Sequence, residues 1–263
     1  MPKILQLKNA KIISNTKVKD GYCKIVLQAP AIARRAKPGQ FVEIKVSDTP
    51  EPLLRRPFSI HRVAGAHLEV LYAVVGKGTE ILSQRKKGAH LDVIGPLGNG
   101  FTVEKGQAII VAGGIGVAPL VFLAEKLHKD CPTVLIGAKA KSQILCEKEF
   151  KDLHCSVTIA TDDGSRGFRG RVTGALENLL KTHNSRLTTL YACGPKPMLK
   201  EVSRIARAHK MRAQISLEEH MACGIGACLG CVVKTTQGYK RVCKEGPVFE
   251  AKAILWHDNP SVT

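Results

Sequence analysis

The chain has 263 residues, of which 44% are apolar, and a formal net charge of +18 at pH 7. A chain of this length and composition can bury a large core and divide into two domains, so a disordered protein is excluded. No stretch approaches the roughly eighteen apolar residues that a membrane-spanning helix needs, and we expect a cytoplasmic protein.

Residues 1–104 alternate short apolar runs with turn signals, which predicts an antiparallel barrel. Pairs such as Pro38-Gly39 and Lys87-Gly88 mark the turns. One helix, from residue 78 to about residue 84, interrupts the strands. The predicted strands are 25–27, 41–46, 58–60, 68–72 and 91–94.

Two stretches of this predicted barrel suit a flavin nucleotide. The segment 55–60 reads Arg-Arg-Pro-Phe-Ser-Ile, in which Arg56 could pair with a pyrophosphate and Ser59 could hydrogen-bond the flavin. The segment 75–79 reads Val-Gly-Lys-Gly-Thr, and it opens a helix whose free N–H groups favour a phosphate. Both patterns are also common in ordinary surface loops, so neither identifies a site alone.

From residue 107 the pattern changes to alternating strands and helices. Such alternation predicts a parallel sheet covered on both faces, with ligands at the carboxyl ends of its strands. The predicted strands are 108–112, 133–136, 156–160, 187–192 and 213–217. The predicted helices are 119–129, 142–151, 172–182 and 196–209.

A glycine turn, Gly-Gly-Ile-Gly-Val-Ala-Pro at 113–119, follows the first of these strands. It is similar to the dinucleotide-binding fingerprint, with Pro119 where the third glycine would stand. A proline is tolerated at the first helical position because its missing N–H would be unpaired there. The strand, glycine and helix context favours a phosphate loop at Gly113, Gly114 and Gly116 over a purely structural turn.

Two later stretches are open to two interpretations each. A predicted strand ends at the segment Cys193, Gly194 and Pro195. The Cys193 thiol could face a nicotinamide there, or it could simply be a small buried side chain. The glycine-rich loop 161–170 could bind a ribose through its two aspartates or serve only as a turn. Lys139 and Lys141 lie where a 2′-phosphate could bind, so the choice between NAD and NADP stays open.

The most specific pattern is the series Cys223, Cys228, Cys231 and Cys243. Gaps of four residues, then two, then a longer one are typical of a plant-type [2Fe-2S] cluster. The small residues between the first three cysteines let the backbone curl around a cluster and point N–H groups at its sulfurs. We therefore predict that these four cysteines ligate a [2Fe-2S] cluster.

Zinc and disulfides are the alternatives for these cysteines. Structural zinc sites usually combine two C-x2-C pairs, whereas here the fourth cysteine stands alone. Nothing in the chain indicates export, so a disulfide framework is disfavoured. The tail 213–263 is too small to fold alone, and ligation should supply much of its folding free energy. We interpret the remaining cysteines as packing residues: Cys23, Cys131, Cys146 and Cys155.

In this order, the motifs resemble the ferredoxin reductase family of flavoproteins, and within it the electron transfer subunits of NAD-dependent dihydroorotate dehydrogenases. The resemblance covers essentially the whole chain, and the cluster segment Leu-Glu-Glu-His-Met-Ala-Cys at 217–223 with the following loop is its most specific part. It implies a β plus α/β fold with three units: an antiparallel FAD-binding β-barrel (1–104), a parallel α/β NAD-binding domain (105–212) and a small [2Fe-2S] module (213–263).

The resemblance also implies which residues bind FAD. Relatives often have a basic residue after the tyrosine, but this chain has Ala73, so Arg56 or Lys77 must balance more of the pyrophosphate charge. The implied FAD-binding residues are Arg56, Pro57, Phe58, Ser59, Leu71, Tyr72, Ala73, Gly78 and Thr79. The implied nicotinamide half comprises the glycine turn and the Cys-Gly-Pro segment.

For function, the resemblance implies a partner. A separate FMN-containing catalytic subunit would oxidise dihydroorotate to orotate in pyrimidine biosynthesis, in a heterotetramer with two copies of each chain. Electrons would then pass through [2Fe-2S] and FAD to NAD+, because a flavin joins one-electron and two-electron carriers. This chain shows no obvious orotate site, and we assign it no catalytic residue for that oxidation.

Two rival functions remain. An electron transfer subunit of a hydrogenase, or a ferredoxin:NAD(P) reductase, would have the same cofactors and a different partner. A zinc-stabilised, basic nucleic-acid-binding module is the rival from another class. Lys and Arg exceed Asp and Glu by nine in residues 1–104 and by nine in residues 105–263, and only 5% of residues are aromatic. Because the charge is spread and stacking residues are scarce, a solvated basic surface is the favoured interpretation.

Overall fold

The computed structural model of the chain describes residues 4–127, 131–182 and 188–256. Two predicted elements extend beyond these ranges: residues 128–129 of the first helix after the glycine turn, and Leu187 of a predicted strand, lie outside the described residues. No helix in the described part of the chain is long and apolar enough to cross a membrane.

The N-terminal part forms an antiparallel sheet, seven-stranded within the described residues, with the hydrogen-bonding order β4-β3-β7-β1-β2-β6-β5. Side chains alternate between its faces, and one face of β2 buries Cys23, Ile25 and Leu27 in the core. Its elements are β1 (Leu5–Lys19), β2 (Tyr22–Gln28), α1 (Pro30–Ala33), β3 (Phe41–Lys45), β4 (Arg56–Ser59), β5 (Arg62–Ala64), β6 (His67–Ala73), α2 (Lys77–Gln84) and β7 (His90–Leu97).

This sheet is a curled half-barrel, whereas the sequence predicts a barrel. Strands β4 and β5 lie at opposite edges of the hydrogen-bonding order, yet two residues join them, so the edges must lie close together. The backbone N–H of Ile60 donates to the Gln40 carbonyl at 2.9 Å, and that of His61 donates to the Glu69 carbonyl at 2.9 Å. Residues 60 and 61 therefore join the two edges of the sheet, and no further strand pairs between β4 and β5 in the described residues.

The second part is the α/β domain that the alternating pattern predicts. Its sheet has the order β11-β10-β9-β8-β12-β13-β16 and is parallel except for β16 (Val248–Glu250). The central strands are continuous apolar runs because helices cover both faces. The elements are β8 (Gln107–Gly113), α3 (Ala118–Leu127), β9 (Thr133–Ala138), α4 (Glu147–Asp152), β10 (Ser156–Thr161), β11 (Phe168–Arg169), α5 (Val172–Thr182), β12 (Thr188–Cys193), α6 (Lys196–Ala208) and β13 (Arg212–Ser216).

The C-terminal segment is tied to both preceding parts. It contains the hairpin β14 (Val232–Thr235) and β15 (Gly238–Arg241), followed by β16 (Val248–Glu250), which pairs antiparallel with β13. Its Gly246 carbonyl accepts a hydrogen bond from the N–H of Asn99 at 2.6 Å, just beyond β7. A division of the chain at residue 213 would cut β13, and the three domain boundaries remain predictions.

Candidate functional site

A cleft of about 610 Å³ lies between the half-barrel, the glycine turn and the C-terminal segment. It collects predicted flavin residues from β4, β6 and the start of α2, which are far apart in the sequence. Phe58 and Tyr72 form one wall, with ring centroids 5.5 Å apart in an edge-to-face arrangement. The predicted residues that line the cleft are Arg56, Pro57, Phe58, Ser59, Leu71, Tyr72, Ala73 and Thr79.

Gly78 does not line this cleft, but it makes room for Arg56. A Cβ atom at Gly78 would lie 2.7 Å from the Nε of Arg56, so the guanidinium packs directly against the first turn of α2. The Thr79 hydroxyl accepts hydrogen bonds from the N–H groups of Val75 at 2.9 Å and Gly76 at 3.2 Å. A guanidinium and a capped helix N-terminus therefore meet at one place, which suits an anion.

Of the two basic residues expected to compensate for Ala73, only one lines the cleft. Arg56 lines it and donates to the Leu54 carbonyl at 2.6 Å. Lys77 instead forms an exposed ion pair with Glu51 at 2.6 Å. Of these two side chains, Arg56 is thus the better placed to balance a pyrophosphate.

One wall of this cleft, formed by residues 216–221 with Pro247, was not predicted from the sequence. Strand β13 ends at Ser216, and the chain then runs along the cleft toward the cysteines. Glu219 is held there by an ion pair with Lys196 at 2.6 Å. The sequence did contain a signal for this wall. Ligands bind at the carboxyl ends of parallel strands, and β13 is such a strand, as β8 is.

A second cleft, of about 430 Å³, lies at the carboxyl ends of β8, β9 and β10. Gly113, Gly114 and Pro195, which are three of the residues predicted to bind the nicotinamide nucleotide, line it, and their binding of the nucleotide remains a prediction. Lys139 also lines it, while the backbone N–H of Lys141 donates to the Ser165 hydroxyl at 2.8 Å outside the lining. The other polar lining residues are Tyr22, Gln143, Asp162, Arg171, Thr173 and Glu201.

Two loops meet behind this cleft. They are the glycine turn, at Gly116, and the loop after β12, at Cys193 and Gly194. A Cβ at Gly116 would lie 2.5 Å from the carbonyl carbon of Cys193 and 2.6 Å from the nitrogen of Gly194. The Cys193 thiol is 1% exposed, and burial raises its pKa. The thiol lines neither cleft in the structure, and its contact with a nicotinamide remains a prediction.

The cysteine loop is wound by residues in the left-handed region. Gly224 has φ +66°, Gly226 has φ +84° and Leu229 has φ 61°. The turn points the N–H groups of Ala227 and Cys228 at the Sγ of Cys223, at 3.3 and 3.4 Å. Backbone donors aimed at a sulfur are what a cluster loop needs.

The pKa of Cys223 reflects these donors. Burial raises the pKa of the thiol, but hydrogen bonds from the N–H groups of Cys228, Ile225 and Ala227 outweigh it and lower the pKa to about 6. A thiolate is the form that ligates iron.

The hairpin β14–β15 brings the last two cysteines together. Cys231 precedes β14 and Cys243 follows β15; both are buried, and the N–H of Cys243 donates to the Sγ of Cys231 at 3.4 Å. Arg241 ties this hairpin to the loop by donating to the Gly226 carbonyl at 2.9 Å. Three of the four thiols thus belong to the loop 223–231 and the fourth lies beside Cys231, with Cys228 exposed and Cys231 and Cys243 buried.

A buried carboxyl group lies beneath the loop. Glu43 of β3 is 1% exposed, and neither of its oxygens has a hydrogen-bond partner among the described residues. Burial raises its pKa to about 7. Gly224 packs onto it so closely that a Cβ there would lie 2.5 Å from the Cγ and 2.8 Å from the Cδ of Glu43.

Strand β3 therefore connects the cysteine loop to the first cleft. Phe41 lines that cleft, and Glu43, two residues further along the same face, lies under Gly224. Two residues of strand span about 7 Å. A cluster in the loop and a flavin in the cleft would be near neighbours, and the four thiols with their backbone donors and the glycine cradle fit a [2Fe-2S] group.

Comparisons with known proteins agree with this geometry. The family model for the iron–sulfur cluster binding domain of dihydroorotate dehydrogenase B matches residues 218–255, and that for the oxidoreductase NAD-binding domain matches residues 110–204. Among solved structures, an NADH-dependent reduced ferredoxin-NADP oxidoreductase, studied for flavin-based electron bifurcation, superimposes with a TM-score of 0.85 at 29% identity, covering 97% of this chain and 92% of that one. These results confirm the predicted ferredoxin reductase-like fold.

Curated relatives are similar over nearly their whole length. The dihydroorotate dehydrogenase B (NAD(+)) electron transfer subunit of Desulforamulus reducens is 44% identical over 258 residues, covering 94% of this chain and 98% of that protein. The subunit of the same name from Clostridium acetobutylicum is 40% identical, covering 94% and 97%. The resemblance drawn from the motifs is thereby confirmed, and the chain belongs to the family of dihydroorotate dehydrogenase B (NAD(+)) electron transfer subunits.

Proposed function

We propose that this chain carries electrons from a dihydroorotate-oxidising partner subunit to NAD+, through a [2Fe-2S] cluster and FAD. The observation that carries the proposal is the position of the cysteine loop on β3, directly beside the flavin cleft. The printed names of the relatives, electron transfer subunits of dihydroorotate dehydrogenase B (NAD(+)), support the same role.

Each unit has a distinct task in this proposal. Arg56 and the N-terminus of α2 would hold the pyrophosphate of FAD, and Phe58 and Tyr72 would pack against it. The Gly113-Gly114 turn would hold the nucleotide phosphates. Cys223, Cys228, Cys231 and Cys243 would ligate the cluster. When bound, the cluster transfers single electrons and the flavin converts between single electrons and pairs.

Residues of this chain also keep the reaction apart from solvent. Leu71 and Phe41 are buried beside the flavin cleft, and the segment 216–221 covers one of its sides. A site shielded from water limits the loss of electrons to other acceptors. The units we assign to these tasks are residues 1–104 for FAD, 105–212 for NAD and 213–263 for the cluster.

We further propose that the partner is the FMN-containing catalytic subunit, that the assembly holds two copies of each chain, and that it works in the cytoplasm. The names of the relatives support a partner subunit. A chain with nine cysteines, four of them assigned to the cluster, fits a reducing compartment. Light scattering of the co-expressed complex measures the stoichiometry.

The test is NAD+ reduction by dihydroorotate. We expect NADH formation only when the purified chain, with its iron, sulfide and flavin quantified, is combined with the FMN subunit. The chain alone should remain inactive with dihydroorotate and still have its FAD reduced by NADH. NAD+ reduction by the chain alone, or zinc in place of iron and sulfide, would contradict the proposal.

A ferredoxin-linked role is the second candidate, because a solved oxidoreductase of that class is 29% identical over nearly the whole chain. Lys139 and Arg171 line the nucleotide cleft, and their positive charges would also suit the 2′-phosphate of NADP. Replacing dihydroorotate by reduced ferredoxin, with NAD+ and NADP+ in parallel, distinguishes the two functions. Faster reduction with ferredoxin than with dihydroorotate and the FMN subunit would favour this candidate.

A further inference from the structure

His61 joins the half-barrel to the α/β domain with both nitrogens of its ring. Its side chain is 0% exposed and lies between β4 and β5, two residues after Ser59 of the flavin cleft. Nδ1 is 2.8 Å from the carbonyl oxygen of Ala118, and Nε2 is 3.4 Å from Oε1 of Glu149. Because a carbonyl and an ionised carboxylate can only accept, each of these two contacts places a proton on the ring nitrogen that makes it.

The two partners of His61 belong to the elements that form the clefts. Ala118 begins α3 directly after the glycine turn and itself lines the flavin cleft. Glu149 lies on α4, which follows the segment containing Lys139 and Gln143 of the nucleotide cleft. One buried ring therefore holds the flavin strand, the glycine turn and the edge of the nucleotide cleft together.

Other barrel residues reinforce the contact with Glu149. Lys24 on β2 lies 3.2 Å from Oε1 of Glu149, and Lys19 donates to the Ile144 carbonyl at 2.7 Å. The hydrogen bond from His61 is the largest of several effects that hold the pKa of Glu149 well below its usual range. The carboxylate is thus ionised and bound to the barrel at neutral pH.

The same groups contain a donor set that a metal could use, since ligand atoms of His61, Cys146 and Glu149 lie within 4.8 Å of one another. The Lys24 ammonium, however, already supplies a positive charge beside the carboxylate. A divalent cation would have to displace it against charge repulsion. The geometry favours an ion-pair junction between domains over a metal site.

We propose that His61 is a positioning residue for hydride transfer, which fixes the nucleotide cleft relative to the flavin cleft. This inference rests on the proposed function. With both groups bound in the two clefts, the nicotinamide would supply a hydride with its two electrons to the flavin, so one ring would be oxidised as the other is reduced and no further oxidant would be needed. A displacement of about 1 Å between reacting atoms can slow such a step about a hundredfold.

The test is the rate constant of FAD reduction by NADH in the purified complex, measured by stopped flow. We expect His61→Leu to lower it about tenfold or more and to weaken the long-wavelength charge-transfer absorbance between the two rings, with FAD and iron contents unchanged. His61→Asn places an amide near Nδ1 and should retain part of the rate by keeping the Ala118 bond. Glu149→Gln keeps an oxygen that can accept from Nε2 but removes the negative charge that faces His61 and Lys24, so it should cause a smaller loss.

Arg62→Gln is the matched control. Arg62 adjoins His61 and pairs with Glu125 across the same boundary, but its side chain is 40% exposed. Exposed ion pairs contribute little, so this variant should stay within about twofold of the wild type.

The outcomes separate the inference from the proposed function. If NADH does not reduce FAD in the wild-type protein, the proposed function fails. If the wild-type protein is active and His61→Leu matches it, the inference is overturned. Should His61→Leu not fold, wild-type rates in both His61→Asn and Glu149→Gln would overturn it.

Discussion

The contact between Gly224 and Glu43 predicts that Gly224→Ala displaces the cluster loop. The new Cβ would lie 2.5 Å from the Cγ and 2.8 Å from the Cδ of Glu43, well inside van der Waals contact. Glu43 cannot easily move away, because it is 1% exposed on β3, a strand that is paired on both sides in the half-barrel. The left-handed φ of +66° adds a further cost for any residue with a Cβ.

The size of the effect follows from these two terms. The left-handed conformation costs an L-residue about 1–2 kcal/mol. Overpacking of a buried contact costs about 1–3 kcal/mol more. We therefore expect the ordered loop to be destabilised by about 2–5 kcal/mol, enough to lower cluster occupancy clearly.

Gly238→Ala is the control for the backbone term. Gly238 has φ +88° in the nearby hairpin, and a Cβ there would meet nothing within 4 Å. It should lose only about 1–2 kcal/mol and keep its cluster. The measurement is iron and acid-labile sulfide per flavin in the purified proteins, with the electron paramagnetic resonance signal of the reduced cluster.

A second-site variant tests the steric term. Glu43→Ala removes the carboxyl group and the Cγ that the new methyl group would strike, so it should restore part of the cluster in Gly224→Ala. Equal iron per flavin in Gly224→Ala and Gly238→Ala would refute the reasoning, as would a double variant no better than Gly224→Ala.

Three further predictions concern the other parts of the site. Cys231→Ser should abolish cluster binding, measured as iron per flavin. Cys155→Ser should leave cluster binding intact, because Cys155 is a buried packing residue of the α/β domain. Loss of the cluster in both variants would be evidence against specific ligation. Thr79→Val removes the hydroxyl that caps α2 and should weaken FAD binding about five- to tenfold, because a helix cap contributes roughly 1 kcal/mol. Flavin fluorescence titration measures this Kd, and an unchanged Kd would contradict the prediction. Gly116→Ala places a Cβ 2.5 Å from the backbone of Cys193 and should raise the KM for NADH with FAD and iron contents unchanged; wild-type KM values would count against the predicted loop contact.

The sequence alone determined the features that depend on neighbours along the chain. The spacing of Cys223, Cys228 and Cys231 and the small residues between them specify a curled loop, because its conformation is decided by backbone freedom over a few residues. The glycine turn at 113–116 was evident for the same reason, since a strand and a helix flank it directly. Alternating and continuous apolar patterns likewise predicted an antiparallel and then a parallel sheet.

Only the tertiary structure decided which distant residues meet. Nothing local to Glu43 indicates that Gly224 lies on it, and nothing local to His61 indicates Ala118 and Glu149 as partners. The return of β16 to the parallel sheet was equally unpredicted, although it fixes the cluster segment to β13. Contacts between residues far apart in sequence depend on how whole elements pack, because each buried polar group and each close approach is satisfied or excluded only in the folded chain.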